Sequence, residues 1–174
     1  MAFVAIVISV LALSFTLASF WWLHARRGSL VAASPETYAF VDGFRLRFPL
    51  ALFNDGAIPL LVTDLRVEVS ELGAVPWTTT RSRLRPESED EPAFPTPFAV
   101  GGRDTKELIV EFGEESDWLP GAGAEHDLRL AAKLHPDDSW HELATFKWWA
   151  PPTTDIMHRY ITHRNVAPQP QQRP

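Results

Sequence analysis

An uncharged apolar run near the N-terminus constrains this chain more than any other feature. Residues 3–23 carry no charged side chain, and as an α-helix they rise about 31 Å, which matches the hydrocarbon core of a bilayer. A secretory signal carries Lys or Arg before such a run, whereas none is present here. The small residues 32–34, which imitate a cleavage site, lie beyond two arginines. We therefore predict one retained transmembrane helix within an anchor of residues 1–27.

Two arginines and two tryptophans mark the end of this run. Arg26 and Arg27 follow it directly, and the positive-inside rule keeps such residues in the cytoplasm. Trp21 and Trp22 suit the aromatic belt at a membrane surface. We predict these four residues as a membrane-interface site with the lipid bilayer as partner. The expected protein is single-pass in the cell membrane, with its N-terminus outside and its C-terminal domain in the cytoplasm.

Composition excludes several classes of chemistry. The chain has no cysteine, so it has no disulfide, no thiol nucleophile and no thiolate metal site. In residues 35–150, Asp and Glu outnumber Lys and Arg by 21 to 11. Binding to nucleic acid requires a basic surface that releases counterions from phosphates. An acidic body of this kind therefore predicts no nucleic-acid partner.

The region after residue 35 alternates with the period of a β-strand. Residues 44–53 place Phe or Leu at every second position, which predicts a strand with one apolar face. Asp42-Gly43 before it and Asn54-Asp55-Gly56 after it are typical of tight turns. Residues 58–69 alternate in one parity and then in the other, and the change at Thr63-Asp64 predicts a β-bulge.

Further short strands complete the predicted domain. The run at 38–41 precedes the first clear strand, and others are expected at 75–81, 94–100, 105–112, 126–134 and 140–149, with a turn at 135–138. Seven or eight short strands with no helical period are typical of a β-sandwich. We predict an all-β domain over residues 35–150, a sandwich of the immunoglobulin or fibronectin type III kind.

Turn and core positions carry a resemblance to two groups of proteins. They are the segment 52–56, then Pro59, Val62, Leu65 and Val67, and then the segment 97–100 ahead of the strand at 105. The chain resembles uncharacterised single-span membrane proteins of actinobacteria and, more distantly, the β-sandwich of group 2 late-embryogenesis-abundant (LEA14-like) proteins. The resemblance implies the sandwich fold and no catalytic residue. The second group implies a stress-related binding or protective domain.

Candidate sites for catalysis or metal binding do not match known motifs. The set His135, Asp137, Asp138 and His141 fits no established metal spacing, and its residues are typical turn formers. The acidic groups at 87–91 and 114–117 lack the spacing and central glycine of a calcium loop. No Gly-x-Ser-x-Gly occurs, and Gly101-Gly102-Arg103 lacks the ending of a phosphate-binding loop, so it predicts a simple turn. We predict no enzyme, no cofactor and no metal site.

The C-terminal stretch 151–174 is polar, and its first part favours a short helix. Thr154 or Asp155 is a candidate cap for a helix that places Ile156, Tyr160 and His163 on one face. This basic segment either lies on the inner leaflet or packs on its own domain. The Gln and Pro content of 166–174 predicts disorder.

Two classes of function remain open at this stage. The first is a non-enzymatic membrane-tethered scaffold that offers its sheet edges or loops to a protein partner in the cytoplasm. The second is an envelope-facing domain that binds a ligand or wall component, and the topology of the chain separates the two. A hydrolase that uses the hairpin at 135–141 is a remote third reading.

Overall fold

The N-terminal part of the protein is one apolar helix. In the computed structural model, which describes residues 2–41, 44–84, 92–113, 123–150 and 161–166, α1 spans Ala2–Phe20 and continues as a π-helical turn over Trp21–Ala25. None of its described side chains is buried. The 24-residue segment Ala2–Ala25 is long and apolar enough to cross a membrane, a test that a signal sequence also passes.

The rest of the described chain is β-structure. Its strands are β1 (Leu30–Ala32), β2 (Thr37–Val41), β3 (Arg45–Asn54), β4 (Leu60–Val69), β5 (Gly73–Arg81), β6 (Phe98–Val100), β7 (Thr105–Gly113), β8 (Glu125–His135), β9 (Ser139–Trp149) and β10 (Ile161–Arg164). The prediction of a mostly-β domain behind one N-terminal apolar helix is confirmed.

The strands form one antiparallel sheet that curls into a half-barrel. Their order is β10-β2-β3-β7-β5-β4-β8-β9, with β1 beside β3 and β6 beside β4. β5 joins the two halves, because residues 73–76 pair with β4 whereas Trp77 and residues 79–81 pair with β7. The register shifts between Trp77 and Thr79, as expected where a strand bends between sheet halves.

Aromatic side chains close the core between the two halves. Phe48 of β3 meets Phe146 of β9 edge to face at 5.8 Å, and Phe40 of β2 lies 5.2 Å from Trp148 of β9. The alternation in β3 is confirmed, since every second residue from Leu46 to Leu52 is buried. These contacts bury large apolar side chains, which is the main stabilising contribution to a fold of this size.

The bulge predicted at Thr63-Asp64 is confirmed. The register of β4 against β8 shifts between Val62 and Asp64, so Val62 and Leu65 both reach the core. The register of β9 against β8 also shifts, between Leu130 and Ala131 of β8. Leu143 of β9 lies at this shift and is buried. Leu143 therefore lies on the core side together with Phe146 and Trp148, although the spacing from Leu143 to Phe146 breaks the two-residue alternation of the strand.

Two strands differ from their predicted extents. The strand expected over 94–100 is only Phe98–Val100, because Pro95 and Pro97 lack the N–H that a sheet ladder needs. Conversely, β1 lies within residues 28–34, where no strand was predicted and which precede the expected domain boundary at residue 35. Three residues are too short to display a two-residue period.

The prediction of a C-terminal helix is wrong for the residues from 161 onward that the structure describes. Ile161–Arg164 form β10, which pairs with Thr37–Phe40 of β2. The ring of His163 stacks on Tyr38 at 5.4 Å, so tertiary pairing outweighs local helix propensity. The predicted cap at residues 154–155, the hairpin turn at 42–43 and the acidic groups at 87–91 and 114–117 lie outside the described residues.

Candidate functional site: the joint between helix and sheet

Residues 26–29 connect the helix to the sheet, and their backbone is fixed at both ends. Arg26 ends the helix with an extended conformation, and its N–H donates to the carbonyl of Trp21 at 2.9 Å. The Arg26 carbonyl then accepts the N–H of Ala57 at 2.8 Å. Leu30 is already buried in the core as the first residue of β1. No stretch of unattached backbone therefore separates helix and sheet.

The Arg26 side chain is directed into this joint. Its Nη2 donates to Oδ2 of Asp55 at 2.9 Å, and its guanidinium lies 4.5 Å from the centre of the Trp22 ring. The ion pair is only partly exposed. Arg26, which was predicted as a membrane-interface residue, binds the turn after β3 to the end of the helix.

The turn Asn54-Asp55-Gly56 organises the joint. Asn54 is fully buried, and its amide donates to the carbonyls of Ile58 at 2.9 Å and Gly101 at 3.0 Å. Oδ1 of Asp55 accepts the N–H of Ser29 at 2.6 Å. This hydrogen bond and, to a smaller extent, the positive charge of Arg26 lower the pKa of the Asp55 carboxyl below its usual 3.8. The predicted turn therefore also provides the side-chain hydrogen bonds that connect the segments of the joint.

Glycines allow the backbone segments to touch. A Cβ at Gly28 would lie 2.0 Å from the nitrogen of Gly56, and one at Gly56 would lie 2.1 Å from the nitrogen of Gly28. A Cβ at Gly102 would lie 2.0 Å from the carbonyl oxygen of Ala57. Because all of these contacts are to backbone, a side chain at any of the three positions requires the joint to move.

Arg103 caps the end of the helix. Its backbone has a φ of 55°, in the left-handed region that costs non-glycine residues energy. Its N–H donates to the Gly56 carbonyl at 2.8 Å, and its Nη2 donates to the Trp22 carbonyl at 2.6 Å. The last carbonyls of a helix lack intrahelical donors, and a cation there also complements the helix dipole. The sequence indicated a turn at Gly101-Gly102-Arg103 but not this role, which needs a contact across 81 residues.

The other predicted interface residues are exposed. Trp21 and Trp22 are about half exposed, at 55% and 52%. Arg27 is exposed, and within the described ranges its side chain has no hydrogen bond or ion pair. Contact of these side chains with lipid stays a prediction. The two arginines differ, because Arg26 is paired with Asp55 whereas Arg27 has no side-chain partner within the described ranges.

A groove opens beside the joint, between the linker (residues 27–30) and the β8–β9 hairpin. We call it the linker groove; it has a volume of about 360 Å³ and is lined by residues 27–30, 58–60, 134–137 and 141–143. Its walls combine apolar side chains from β1, β4 and β9 with the ionisable side chains of Arg27, His135, Asp137, His141 and Glu142.

A second groove lies on the side of β3 and β7 that faces away from the core. This outer groove has a volume of about 620 Å³ and is lined by residues 33–37, 49–51, 80–82 and 107–109. Its lining is mainly apolar, with Glu36, Arg81 and Glu107 as charged members. Pockets of this size are typical of ligand sites.

A buried charge cluster adjoins the outer groove. Nε and Nη2 of Arg47 donate to Oε2 of Glu111 at 2.9 and 2.6 Å, and both residues are almost fully buried. Oε1 of Glu111 accepts from Thr79 at 3.2 Å and lies 3.5 Å from Arg81. Nη1 of Arg47 donates to the Arg83 carbonyl at 3.2 Å. The cluster therefore fixes the segment after β5 to the back of the sheet.

The residues considered for metal binding point to separate partners. Asp138 pairs with Lys133 at 2.9 Å, and Nε2 of His141 lies 2.9 Å from the Ser139 hydroxyl. Within the described parts of the chain, no group of three or more His, Asp or Glu side chains is arranged to hold a metal ion. His135 and Asp137 line the linker groove instead.

No protein-family model and no curated protein matches this chain. Among solved structures, it is similar to a FixG-related protein from Vibrio parahaemolyticus, at 12% identity and a TM-score of 0.39, over 71% of this chain and 94% of the other. It is similar to the sporulation control protein Spo0M from Bacillus subtilis at 9% identity and a TM-score of 0.38, over 76% and 51%. A family 123 glycoside hydrolase from Clostridium perfringens matches at 8% and 0.39, over 71% and 27%. These likenesses carry no argument about function.

Proposed function

We propose that this chain is a non-enzymatic, membrane-anchored interaction module that holds its β-domain against the bilayer surface. The observation that carries the proposal is the joint. The helix end is bound to the sheet by the Arg26–Asp55 pair and the Arg103 cap. A helix that crosses a membrane and is bound in this way fixes the position of its domain, whereas a flexible linker does not.

The location of β1 supports retention of the helix. Signal cleavage at the small residues 32–34 would separate Leu30 and Ala32 from the domain, although both are buried in its core. All three residues of β1 pair with β3. Cleavage there would therefore remove a strand and expose apolar core surface, which costs stability.

The distribution of charge supports a cytoplasmic domain. Residues 2–23 carry no charged side chain, whereas Arg26 and Arg27 follow directly and Arg103 joins them at the helix end. Positive charge beside a single span favours the cytoplasmic side. In this orientation the N-terminus of the chain is outside and the protein resides in the cell membrane.

We further infer that the β-domain is a variant of the immunoglobulin or fibronectin type III sandwich. The change of partner within β5 and the aromatic contacts between β2–β3 and β9 support two facing layers. Such domains commonly act as binding modules, although the fold alone does not define a function.

The proposed partner is a protein that binds across the outer groove. Phe94 is 85% exposed and follows Ala93, which pairs with Thr80 at the groove wall. An exposed aromatic side chain beside an apolar groove is typical of protein interaction sites. The exposed carboxylates of Glu36 and Glu107 in the lining provide charges that can orient a partner.

Cysteine labelling tests the proposed topology. Because the chain has no cysteine, Asp127→Cys on the exposed face of β8 and Ala2→Cys at the other end of the helix each give a unique probe. With a membrane-impermeant maleimide, we expect Asp127→Cys to react only after cell lysis and Ala2→Cys to react in intact cells. The reverse pattern would contradict the cytoplasmic assignment and favour an envelope-facing binding domain.

Site-specific photo-crosslinking tests the partner surface. A photoreactive phenylalanine analogue at Phe94 should give a discrete crosslinked protein in cells, and Glu107→Lys should weaken this band because it reverses an exposed charge of the groove. The same analogue at Asp127, which lies outside the groove, is the matched control. Equal crosslinking from both positions would contradict a partner site at the outer groove.

A further inference from the structure

We propose that the linker groove binds the headgroup of a phospholipid, with phosphatidylethanolamine as its preferred occupant. The inference rests on the membrane anchoring proposed above and is independent of which side the domain faces. In this assignment Arg27 and His135 bind the phosphate, and Asp137 binds the ammonium group.

The helix brings the groove to the depth of the headgroups. A helix of 24 residues is about 36 Å long, which exceeds the hydrocarbon thickness of about 30 Å. Its last turn, with Trp22 and Leu23, therefore extends into the headgroup layer. Arg27 is two residues beyond Ala25, so its Cα lies within about 7 Å of the helix end. The bound joint prevents the groove from moving away from this layer.

The charged side chains of the groove divide into engaged and available groups. Glu142 accepts from Thr145 and pairs with Arg129, while His141 contacts Ser139. These bonds occupy two of the ionisable side chains along the β9 wall.

Three ionisable side chains of the groove are available to a ligand. Arg27, His135 and Asp137 are exposed, and within the described residues none has a side-chain hydrogen bond or ion pair. A guanidinium and an imidazole beside one carboxylate complement a phosphate joined to a primary ammonium. A lipid with a net negative headgroup and no amine leaves Asp137 without a partner. A quaternary ammonium offers that carboxylate no N–H donor.

The apolar part of the groove fits the region below a headgroup. Ile58 is 37% exposed at the groove wall, and the neighbouring Leu60 is partly exposed. Apolar side chains beside charged ones match the boundary between the glycerol backbone and the acyl chains. A soluble anion such as phosphate has no group to cover these side chains.

The test measures lipid retention by the purified full-length chain in detergent, using native mass spectrometry. Phosphatidylethanolamine, phosphatidylcholine and phosphatidylglycerol with identical acyl chains are added in competition. We expect phosphatidylethanolamine to be retained about fivefold over either competitor. Asp137→Asn should reduce this preference to about one, whereas Asp137→Glu should preserve it.

A second variant separates the phosphate contact from the amine contact. Arg27→Gln should lower retention of all three lipids about fivefold because each contains a phosphate. Asp127→Asn in β8 and Arg45→Gln in β3 remove exposed charges that do not line the groove, and these two variants serve as controls. Because Arg27 and Asp137 are exposed, their variants should unfold at the same denaturant concentration as the parent chain.

The possible results are distinguishable. Equal retention of the three lipids, a preference for phosphatidylglycerol, or an unchanged preference in Asp137→Asn would overturn the headgroup site. Extraction of the chain from cell membranes by alkaline carbonate would instead contradict the proposed anchoring. Resistance to carbonate without any headgroup preference would support the membrane anchor and contradict only the headgroup site.

Discussion

The helix–sheet joint and the back of the sheet each contain an arginine–carboxylate pair, and the two pairs differ far more in burial than in length. Arg26 meets Asp55 at 2.9 Å with side-chain exposures of 25% and 40%, whereas Arg47 meets Glu111 at 2.6 Å with exposures of 1% and 5%. An exposed pair gains little because water screens it. A buried pair exacts a large penalty when one partner is removed. The Arg26–Asp55 pair therefore contributes little by charge alone, and most of the joint's strength must come from its hydrogen bonds to backbone groups, including the Arg103 cap.

Removal of the buried carboxylate should have the largest effect on stability. Glu111→Gln leaves Arg47 charged and buried without its counter-ion, and we expect a loss of about 3–5 kcal/mol in the free energy of unfolding. The measurement is urea unfolding of the full chain in detergent, followed by tryptophan fluorescence. Glu142→Gln, which breaks an exposed pair with Arg129, should cost less than about 1 kcal/mol. Equal losses in the two variants would contradict the contrast in burial.

A methyl group at Gly56 should disrupt the joint to an intermediate extent. Gly56→Ala places a Cβ 2.1 Å from the backbone nitrogen of Gly28, and we expect a loss of about 1–3 kcal/mol from the resulting displacement. Trypsin should cleave after Arg26 or Arg27 several times faster than in the parent chain. Gly113→Ala, whose Cβ would be 3.3 Å from the Arg45 side chain, is the control. An unchanged cleavage rate in Gly56→Ala would argue against a close-packed joint.

Loss of the helix cap should have a smaller and more local effect. Arg103→Ala leaves the Trp22 carbonyl without its side-chain donor, at a cost of about 1 kcal/mol. Amide hydrogen exchange should therefore accelerate about fivefold in residues 22–26. Exchange in β8, which lies in the sheet away from the cap, should not change. Uniform acceleration in both segments would indicate a general loss of stability instead.

Neutralisation of Asp55 should have the smallest effect at neutral pH, with a characteristic pH dependence. Since the pKa of Asp55 in the folded chain is below 3.8, its ionised form stabilises the fold fully above that value. This contribution is lost as pH falls through the lowered pKa. Asp55→Asn should therefore be less stable than the parent at pH 7, and the difference should diminish by pH 3. Urea midpoints that differ equally at both pH values would contradict this role.

Much of the sheet was predictable because alternation in a half-buried strand is visible in sequence. Residues 44–53 and the parity change at Thr63-Asp64 indicated β3 and the bulge of β4 correctly. β10 was missed because its residues form a strand only where the edge of β2 provides backbone partners. Propensity within a short window contains no information about such an edge.

The joint was predictable only in its parts. The apolar run, the two arginines and the Asn54-Asp55-Gly56 turn were all evident, but each was assigned to a local role. The contacts of Asp55 with Arg26 and of Arg103 with Trp22 join positions 29 and 81 residues apart. The glycine contact at Gly28 and Gly56 is equally non-local, so spacing along the chain does not reveal it.

The most direct test of the account is a distance distribution between helix and sheet. Because the native chain has no cysteine, Leu17→Cys and Asp127→Cys together provide one unique pair of spin labels for pulsed electron–electron double resonance in lipid nanodiscs. The account predicts a single narrow distribution that broadens when Gly56→Ala and Arg103→Ala are added. A broad distribution in the chain without these two substitutions would show a flexible tether and contradict the bound joint.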